Sequence, residues 1–307
     1  MVRRVDGERR DDPPRAILVD WGTSRMRAWI WRGGRDLSPM HSDDRGMKTL
    51  TQADYPAVLS QATASLGAPG GTPVLICGMA GARGGWLETG YLAAPTDLGD
   101  LHRHARRVGL PDRDVRILPG VSCSGTAPDV MRGEETQLAG LLDDPPPGLT
   151  CLPGTHSKWA LRDGSVLSGF TTFMTGELFE VIGRHSILAR TLGAGWDDAA
   201  FLEAAEEALD APELVWRAFF GLRASALLEE GRPASARARL SGLLIGAECA
   251  AARRLYGAGP VTLVASGAME RAYGRALAAA GFAVTLRDGE EITCRGLIRA
   301  AEQIWRD

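Results

Sequence analysis

The feature that most constrains this chain is a strand–turn–strand pattern near its start, AILVDWGTSRMRAWI, over residues 16–30. The apolar run that ends at Asp20 predicts a buried strand, and the glycine of Gly22-Thr23-Ser24 permits a tight turn. The residues after this turn alternate in a period of two, which predicts a second strand. Backbone N–H groups at such a turn bind anions, and a neighbouring aspartate can hold a hydrated cation. The alternative is a hairpin in which Asp20 and Thr23 only satisfy their own turn.

A second stretch repeats this pattern in the other half of the chain, as LPGTHSKWALR over residues 152–162. The Gly-Thr pair of the first hairpin recurs as Gly154-Thr155, followed again by a polar turn and an alternating run. Only the first copy carries an aspartate, because Leu152 stands at the matching position of the second. Two similar hairpins in the two halves of one chain predict two like domains that face each other across a cleft.

The length and composition of the chain limit its class. At 307 residues, it is long enough for two domains and a sizeable buried core. Its net charge of −3 gives no support to nucleic acid or an anionic membrane as a partner. Its five cysteines are scattered without a C-x-x-C pair. We therefore expect neither a disulfide framework nor a zinc site, and hence a reducing cytoplasm.

Charge and proline mark the ends of the predicted domains. Residues 1–14 are charged and mixed in sign, which excludes a secretory signal and predicts a disordered tail. No apolar run reaches the length of about 18 residues that a membrane span needs. The sequence PPPG at 145–148 cannot continue a helix and suits a stiff joint. We predict an N-terminal domain over 15–147 and a C-terminal domain over 148–307, the latter enlarged by helices over 197–256.

A glycine-rich loop, CGMAGARGGW at residues 77–86, follows a further predicted strand. It carries Arg83 and Trp86 on backbone that can approach a ligand closely. The alternative is a plain exit from the strand, with Arg83 solvated and Trp86 partly in the core.

Two acids lie early in a predicted helix, within DVMRGEETQLAGLLDD at residues 129–144. The helical spacing of its apolar residues predicts a helix with Asp129 as the N-cap and with Glu134 and Glu135 in the first turns. Acids near a helix start stabilise it by about 0.3–1 kcal/mol, which explains at least one of the two without any chemistry.

Three residues of the second half could contact a ligand or serve the fold. Lys158 is a charge partner for a phosphate or carboxylate, and the alternative is a surface lysine on a hairpin. Thr175 is expected to cap a helix that carries Glu177 in its first turn.

Five short sequence motifs occur along the chain in the order DWGTS, CGMAGARGGW, DVMRGEETQ, PGTHSKW and FTTFMTGEL. Together they resemble the 2-dehydro-3-deoxygalactonate kinases, a family of the actin-like ATPase and sugar kinase superfamily, from Leu18 to the C-terminus. The resemblance implies an α/β fold of the duplicated actin-like (ribonuclease H-like) type, with the nucleotide in a cleft between two domains. It also implies an ATP-dependent kinase that phosphorylates the terminal hydroxyl of 2-dehydro-3-deoxygalactonate. The chain departs from the expected pattern at Ser24-Arg25, where Thr-Asn is usual, and at Ala80-Gly81-Ala82.

The resemblance implies a role for each residue that matches a family motif. Asp20 would hold Mg²⁺ through water. The implied ATP-binding residues are Gly22, Thr23, Ser24, Gly154, Thr155, His156, Ser157, Lys158, Ser266, Gly267 and Ala268. The implied substrate-binding residues are Arg27, Arg83, Trp86, Thr175 and Glu177. Arg83 and Arg27 are the candidates for the acceptor's carboxylate, because a guanidinium matches a carboxylate in two hydrogen bonds.

A general base must also reach the acceptor hydroxyl. Related sugar kinases place an aspartate at the start of the first connecting helix, and Glu135 occupies that place here, two residues after Gly133. We prefer Glu135 to Glu134. Glu177 is a third candidate, which would otherwise bind substrate hydroxyls.

Three classes of function stay open. The first is the sugar-acid kinase, with a related 2-keto-3-deoxy acid as the alternative acceptor. The second is a phosphohydrolase of the exopolyphosphatase type, in which Glu135 would activate water. The third is a non-catalytic sugar-binding or filament-forming relative, against which the retention of Asp20, Glu135 and both Gly-Thr turns argues. A homodimer and the stereochemistry of the acceptor are also left open.

Overall fold

The computed structural model describes residues 12–35, 37–144, 147–228 and 233–306. The predicted tail lies outside the described residues, apart from its last three positions. Within the described ranges, no helix is both long and apolar enough to cross a membrane.

Backbone contacts divide the chain into two compact units. The first unit comprises Met1–Pro145, Gly164–Leu167 and Glu290–Asp307, and the second comprises Pro146–Asp163 and Ser168–Gly289. The last helix is therefore grouped with the first unit, although the sequence assigned it to the C-terminal domain. The continuous domain boundaries and the cleft remain predictions.

Fifteen strands and eight α-helices occur among the described residues. The strands are β1 (Ala16–Trp21), β2 (Met26–Trp31), β3 (Leu37–Asp43), β4 (Val74–Gly78), β5 (Tyr91–Ala93), β6 (Thr96–Asp97), β7 (Arg106–Val108), β8 (Val115–Ile117), β9 (Gly120–Cys123), β10 (Asp129–Met131), β11 (Leu149–Leu152), β12 (Ser157–Asp163), β13 (Val166–Phe173), β14 (Pro260–Val264) and β15 (Ala283–Arg287). The helices are α1 (Tyr55–Ser65), α2 (Glu134–Gly140), α3 (Thr175–His185), α4 (Asp198–Asp210), α5 (Val215–Leu227), α6 (Pro233–Tyr256), α7 (Gly267–Ala279) and α8 (Gly289–Ile304).

A six-stranded sheet organises the first unit, in the strand order β3-β2-β1-β4-β8-β7. β1 pairs antiparallel with β2 and parallel with β4, and β4 runs parallel to β8. Alternate residues of β1 point to opposite faces, so Ile17 and Val19 pack with α1 whereas Leu18 packs with α8. Because helices cover both faces, the carboxyl ends of β1 and β4 are the place where loops bring side chains together.

The second unit repeats this order as β15-β14-β11-β12-β13, with β11 in the place of β1 and β14 in the place of β4. Its core includes Trp159 of β12, Phe201 of α4 and Tyr273 of α7. The repeated strand order is that of the actin-like α/β fold, and the predicted fold class is confirmed. The first two residues of β13 belong to the first unit, where they pair with β6.

The helix that carries the two candidate acids begins later than the sequence predicts. Asp129 is not its N-cap, because Asp129–Met131 form β10, which pairs with β9, and α2 begins at Glu134. Cross-strand hydrogen bonds thus override the local helical spacing. Between strand and helix the chain turns at Gly133, whose φ of +104° is one that side chains rarely allow.

Two glycines let α2 and α8 cross in direct backbone contact within the first unit. A Cβ placed at Gly296 would fall inside van der Waals contact of the Thr136 carbonyl oxygen. A Cβ at Gly140 would meet the Ile292 carbonyl oxygen in the same way. The short helix that begins beside Glu135 is thereby fixed against the last helix of the chain.

Candidate active site

Asp20 lies near the end of β1, directly opposite Arg27 of β2 in the antiparallel register. Its Oδ2 accepts a 2.6 Å hydrogen bond from Nη2 of Arg27, and Nη1 of the same arginine donates to Glu290 at 3.3 Å. Both terminal nitrogens of Arg27 are therefore engaged by carboxylates of the first unit. In this geometry Arg27 holds the carboxylate of Asp20 in place. The sequence analysis had instead named Arg27 as one of two residues that bind the carboxylate of the acceptor.

The other side of Asp20 faces the end of β4. Cys77 is its register partner there, with Sγ 3.9 Å from Oδ1 of Asp20. Gly78 follows with a φ of +91°, and a Cβ at this position would lie 2.7 Å from the Trp21 carbonyl oxygen and 3.5 Å from Oδ1 of Asp20. Only glycine fits at this position, and its missing side chain leaves space beside the carboxylate.

The turn between β1 and β2 uses one of its predicted anion donors for itself. The N–H of Gly22 donates to the Arg25 carbonyl oxygen at 2.8 Å. Gly46 packs against the rest of the turn, since a Cβ there would lie 2.5 Å from backbone atoms of Thr23 and Ser24. The backbone N–H groups of this turn that could donate hydrogen bonds to a phosphate are therefore those of Thr23 and Ser24. Gly46 supports the turn, and the sequence analysis did not identify it.

Glu135, the preferred base, is fully buried in the first turn of α2. Its Oε2 accepts a 2.7 Å hydrogen bond from the N–H of Gly133, and its Oε1 accepts a 3.0 Å bond from the hydroxyl of Thr136. Burial, with a smaller contribution from the charge of Glu134, raises the pKa of Glu135 to about 7. A carboxyl group with a pKa near neutrality is suited to taking up a proton in catalysis.

Asp20 and Glu135 converge on the same strand end. Gly133 lies against Gly78, because a Cβ at Gly133 would stand 3.5 Å from the Cα of Gly78. Burial raises the pKa of the Cys77 thiol well above its ordinary value, and the charges of both carboxylates add to that rise. The candidate metal ligand and the candidate base are thus both near the end of β4, within one unit.

Glu134 has a different environment. Its Oε2 accepts a 3.0 Å hydrogen bond from the backbone N–H of Arg132, which closes the start of α2. The guanidinium of Arg132 in turn donates to Oγ1 of Thr89 at 2.6 Å and to the Gly90 carbonyl oxygen at 2.8 Å. Glu134 therefore has the helix-stabilising role that the sequence analysis expected for one of the two acids.

The two candidate residues of the glycine-rich loop after β4, Arg83 and Trp86, differ in their exposure to solvent. The side chain of Arg83 is 92% exposed and lies 4.0 Å from Glu88. Trp86 is buried instead, with its ring stacked on Tyr55 at a centroid distance of 5.8 Å and set edge-on to Trp21 at 6.3 Å. The structure accounts for Trp86 by aromatic packing and leaves Arg83 accessible to a ligand.

In the second unit, the loop between β11 and β12 packs on the start of α3. A Cβ at Gly176 would fall inside van der Waals contact of the Gly154 carbonyl oxygen. The N–H of Glu177 donates to the Thr155 carbonyl oxygen at 2.9 Å, and the Glu177 carboxylate pairs with Nε2 of His156. Glu177 is thus tied to the predicted phosphate loop of its own unit.

Lys158, the first lysine after that loop, is buried in β12. Its Nζ donates to the His156 carbonyl oxygen at 3.1 Å. The alternative of a surface lysine is therefore wrong, because β12 is an inner strand of its sheet. A buried ammonium group places positive charge directly beside the loop.

A buried carboxylate that the sequence analysis missed joins the elements around this loop. Oε1 of Glu248 accepts from the indole N–H of Trp159, and its Oε2 accepts from the hydroxyl of Tyr273, both at 2.8 Å. Ser157 lies 2.7 Å from the same tyrosine oxygen, and Thr175 also hydrogen-bonds to the carboxylate. Burial raises the pKa of Glu248, and these donors oppose the rise. Thr175 therefore serves this network and does not cap α3, whose N-cap is the preceding residue.

A cavity of about 190 Å³ opens beside this network in the second unit. It is lined by Gly154 of the loop, by Tyr273, and by Ala268 and Met269 at the start of α7. The walls are mostly apolar, which suits a flat ring better than a phosphate.

The loop before α7 is held in place by hydrogen bonds of the Ser266 side chain. The hydroxyl of Ser266 donates to Asp288 at 2.7 Å and accepts from the N–H of Gly289 at 3.1 Å. Gly267 follows with a φ of +64°, in the left-handed region that favours glycine. Ser266, Gly267 and Ala268, the predicted adenosine loop, therefore form a fixed turn at the edge of the cavity.

Comparison of the chain with models of known protein families shows to which family it belongs. A family model described as 2-keto-3-deoxy-galactonokinase matches residues 20–300. The chain belongs to the 2-keto-3-deoxy-galactonokinase family. This match confirms the family that the five sequence motifs indicate. It spans every site residue described above.

Relatives of this 2-keto-3-deoxy-galactonokinase family member match it along nearly their whole length. A protein from Rhizobium meliloti (strain 1021), assigned as a 2-dehydro-3-deoxygalactonokinase, is 43% identical over 300 residues, covering 94% of this chain and 96% of the relative. The 2-dehydro-3-deoxygalactonokinase of Escherichia coli (strain K12) is 33% identical over 293 residues, covering 94% and 98%. A crystal structure from Sinorhizobium meliloti, assigned to the same activity, superposes with a TM-score of 0.89 at 40% identity and covers 95% of this chain and 100% of that one.

Proposed function

We propose that this chain transfers the γ-phosphoryl group of ATP to the terminal (6-) hydroxyl of 2-dehydro-3-deoxy-D-galactonate, in galactonate catabolism. The observation that carries the proposal is the pair of carboxyl groups, Asp20 and Glu135, that both lie near the end of β4. The proposal is supported by the two relatives whose names state this activity.

Glu135 is the proposed general base. Phosphoryl transfer needs little covalent chemistry from the protein, and depends on positioning and on neutralisation of charge. Glu135 would take the proton of the terminal hydroxyl as that oxygen attacks the γ-phosphorus. The hydrogen bonds from Gly133 and Thr136 support this role, because they fix the direction of the carboxyl group before substrate binds.

Asp20 is the proposed ligand for Mg²⁺, through water. Mg²⁺ is usually held by one or two carboxylates together with phosphates and waters, so a cluster of acids is not required. Among the described residues there is no group of three metal-ligating side chains, and Asp20 fits the looser arrangement. One of its oxygens is held by Arg27, and the other borders the space that Gly78 leaves. When bound, Mg²⁺ supplies positive charge to the transferring phosphoryl group.

The second unit is the proposed site for the rest of ATP. Its cavity would take the adenine against Ala268, with Ser266 and Gly267 beside the ribose. The loop from Gly154 to Ser157 would surround the phosphates, together with the charge of Lys158. In the first unit, the N–H groups of Thr23 and Ser24 are proposed donors to a phosphate oxygen. The buried Glu248 network supports this assignment, because it holds both the loop and α7 in place.

Arg83 is the proposed binder of the acceptor's carboxylate. It is accessible, and it stands on a loop that follows directly from the end of β4. Arg27 is less suited to the same task, since its terminal nitrogens are engaged by Asp20 and Glu290. Thr175 and Glu177 remain proposed contacts to the sugar hydroxyls, each held by partners of the second unit.

An assay of ADP release tests the proposed function. The panel would contain 2-dehydro-3-deoxy-galactonate, its gluconate-derived isomer, plain sugars and glycerol, each with ATP and Mg²⁺, and a sample without acceptor. We expect ADP release with the keto acids, fastest with the galactonate-derived one, and none without acceptor. Phosphate release at the same rate without acceptor would support the hydrolase instead. Equal rates with plain sugars would contradict the sugar-acid assignment.

A further inference from the structure

A buried carboxylate of α6, Glu248, takes no direct part in the proposed chemistry. It is 3% exposed, yet hydrogen-bond donors of three other elements meet on it. Trp159 of β12 and Tyr273 of α7 each donate to it at 2.8 Å, one to Oε1 and the other to Oε2. The hydroxyls of Thr175 in α3 and of Ser157 in β12 also hydrogen-bond to it. A carboxylate that is withdrawn from water needs such donors, because its charge is otherwise costly to bury.

The protons of these donors point toward Glu248. An ionised carboxylate only accepts hydrogen bonds, at about four positions, and an indole N–H only donates. Burial, and next the charge of Glu248, raise the pKa of Tyr273 well above its ordinary value, so the tyrosine keeps its proton and donates a hydrogen bond to the carboxylate. The hydroxyl oxygen of Ser157 lies 2.7 Å from that of Tyr273. Because the tyrosine proton is directed at Glu248, the serine is the donor of this second bond.

Two of the residues bonded to Glu248 border the proposed ATP site. Tyr273 lines the cavity of about 190 Å³ in the second unit. Ser157 is fully buried at the start of β12, where the loop between β11 and β12 ends. The next residue is Lys158, whose ammonium group donates to a carbonyl oxygen of the same loop at 3.1 Å. Neighbouring residues of a strand point to opposite faces, so the inward bond of Ser157 also fixes the face on which Lys158 lies.

We propose that Glu248 is a positioning residue for the phosphates of ATP, and that it acts through Tyr273 and Ser157. Its carboxylate draws the hydroxyl of Ser157 into the core, and thereby sets the backbone of the loop and the position of the Lys158 ammonium group. In this arrangement the loop meets a phosphate through its N–H groups and Lys158, while the serine hydroxyl serves the buried network. The inference rests on the proposed ATP site of the second unit, and it adds a residue that lies behind that site.

The Tyr273→Phe variant tests the role of this network with little change of shape. It removes the hydroxyl that lies between Glu248 and Ser157. The loss of a hydrogen bond to a charged group should raise the KM for ATP and the dissociation constant of ADP about tenfold. The kcat and the KM for the keto acid should change little, because neither depends on the position of this loop alone.

The Tyr256→Phe variant is the matched control. Tyr256 packs on the same core as Tyr273 and donates its hydroxyl to Thr171 at 2.8 Å. Its loss should also lower the melting temperature, but should leave the KM for ATP and the affinity for ADP unchanged. A purely structural role of Tyr273 predicts the same result for both variants.

A second substitution tests whether the effect passes through Ser157. Ser157→Ala removes the other hydroxyl of the same chain of hydrogen bonds, so it should weaken ADP binding as Tyr273→Phe does. The double variant should bind ADP no more weakly than either single variant, because residues that act in one network are not additive.

The Glu248→Gln variant tests the carboxylate itself. Glutamine keeps the shape of the side chain but turns an N–H₂ group toward one set of donors. It should weaken ADP binding at least as much as Tyr273→Phe does. Calorimetric titration of the full chain with ADP measures this affinity without turnover, and if Glu248→Gln does not fold, the comparison of Tyr273→Phe with Tyr256→Phe decides.

Four results would each overturn the role of Glu248: equal changes in both KM values, an unchanged affinity for ADP, the same shift in Tyr256→Phe, or independent effects of Tyr273→Phe and Ser157→Ala. Failure of the proposed function gives a different result. A wild type that binds ADP but phosphorylates no keto acid would refute that function and leave the ADP affinities to test Glu248. A wild type that binds no ADP would overturn both proposals.

Discussion

The backbone N–H of Gly133 donates a 2.7 Å hydrogen bond to Oε2 of Glu135, two residues further along the chain. This bond is made because the chain reverses at Gly133, with a φ of +104°, before α2 begins. It holds the carboxyl group of the glutamate at the start of its own helix, beside Gly133, which lies against Gly78 at the end of β4. The candidate base is thus held by a local turn, which a sequence of the form Gly-Glu-Glu encodes directly.

The pH dependence of the rate should report Glu135. Its pKa of about 7 lies above the ordinary value of 4.5, and a base is active only when it is ionised. The value of kcat/KM for the keto acid should therefore rise with pH and level off above about 7. Glu134→Gln removes a neighbouring negative charge, so it should move this inflection to lower pH. A profile that is flat between pH 6 and 8, or that falls, would contradict Glu135 as the base.

The Asp20→Asn variant should lose Mg²⁺-dependent turnover while the protein stays folded. Asparagine still accepts a hydrogen bond from Arg27, so the β1–β2 hairpin keeps its register. The lost charge should cost several kcal/mol of transition-state stabilisation. Titration of the rate with Mg²⁺ measures this, with Asp44→Asn, at an exposed carboxylate paired with Arg25, as the control. Turnover within a few-fold of wild type at limiting Mg²⁺ would refute the metal role.

Arg83→Ala should raise the KM for the keto acid far more than the KM for ATP. The exposed guanidinium makes one long contact, to Glu88 at 4.0 Å, so its removal should leave stability within about 0.5 kcal/mol. Arg103→Ala, at an exposed arginine paired with Asp100, is the matched control. If both KM values change equally, or neither does, Arg83 does not hold the acceptor's carboxylate.

Gly296→Ala should destabilise the protein by at least about 1–3 kcal/mol, because the added methyl group would overlap the Thr136 carbonyl oxygen. The strain would fall on α2, so the rate should also drop in the folded fraction. Gly274→Ala provides the comparison, since α7 leaves open space at that position. This second change should stabilise by about 0.5–1 kcal/mol through helix propensity. Denaturant unfolding of both variants measures the difference, and equal effects would show that α2 and α8 are not in contact there.

Local patterns predict the hairpins well and the helix starts poorly. The period of two in residues 26–31 and 157–162 reflects strands whose two faces pack differently, so it survives in the structure as β2 and β12. Asp129 fails as an N-cap because its segment pairs with β9, a contact that local spacing does not contain. The pairing of Asp20 with Arg27 depends on the exact register of the hairpin, and the sequence analysis assigned Arg27 to the acceptor instead.

Contacts that are distant in sequence account for what was missed at the site. Glu248 lies 89 residues from Trp159 and 25 from Tyr273, so no motif joins them. Its one local signal is an acid in the otherwise apolar run LLIGAECAAA, where a charge needs buried partners. Gly46 gave no signal at all, because its importance comes from the backbone of Thr23 and Ser24 packed against it.

The most direct test of the account is the steady-state rate of Glu135→Gln beside that of Glu134→Gln. Glutamine can still accept the hydrogen bond from Gly133, but it cannot take up a proton. General-base catalysis is worth about 10²–10⁴-fold, so kcat of Glu135→Gln should fall by that factor. Its KM for ATP and its melting temperature should change little. Glu134→Gln should keep a kcat within a few-fold of wild type. A Glu135→Gln variant with near-normal kcat, beside an inactive Glu134→Gln or Glu177→Gln, would contradict the account and assign the base to that other carboxylate.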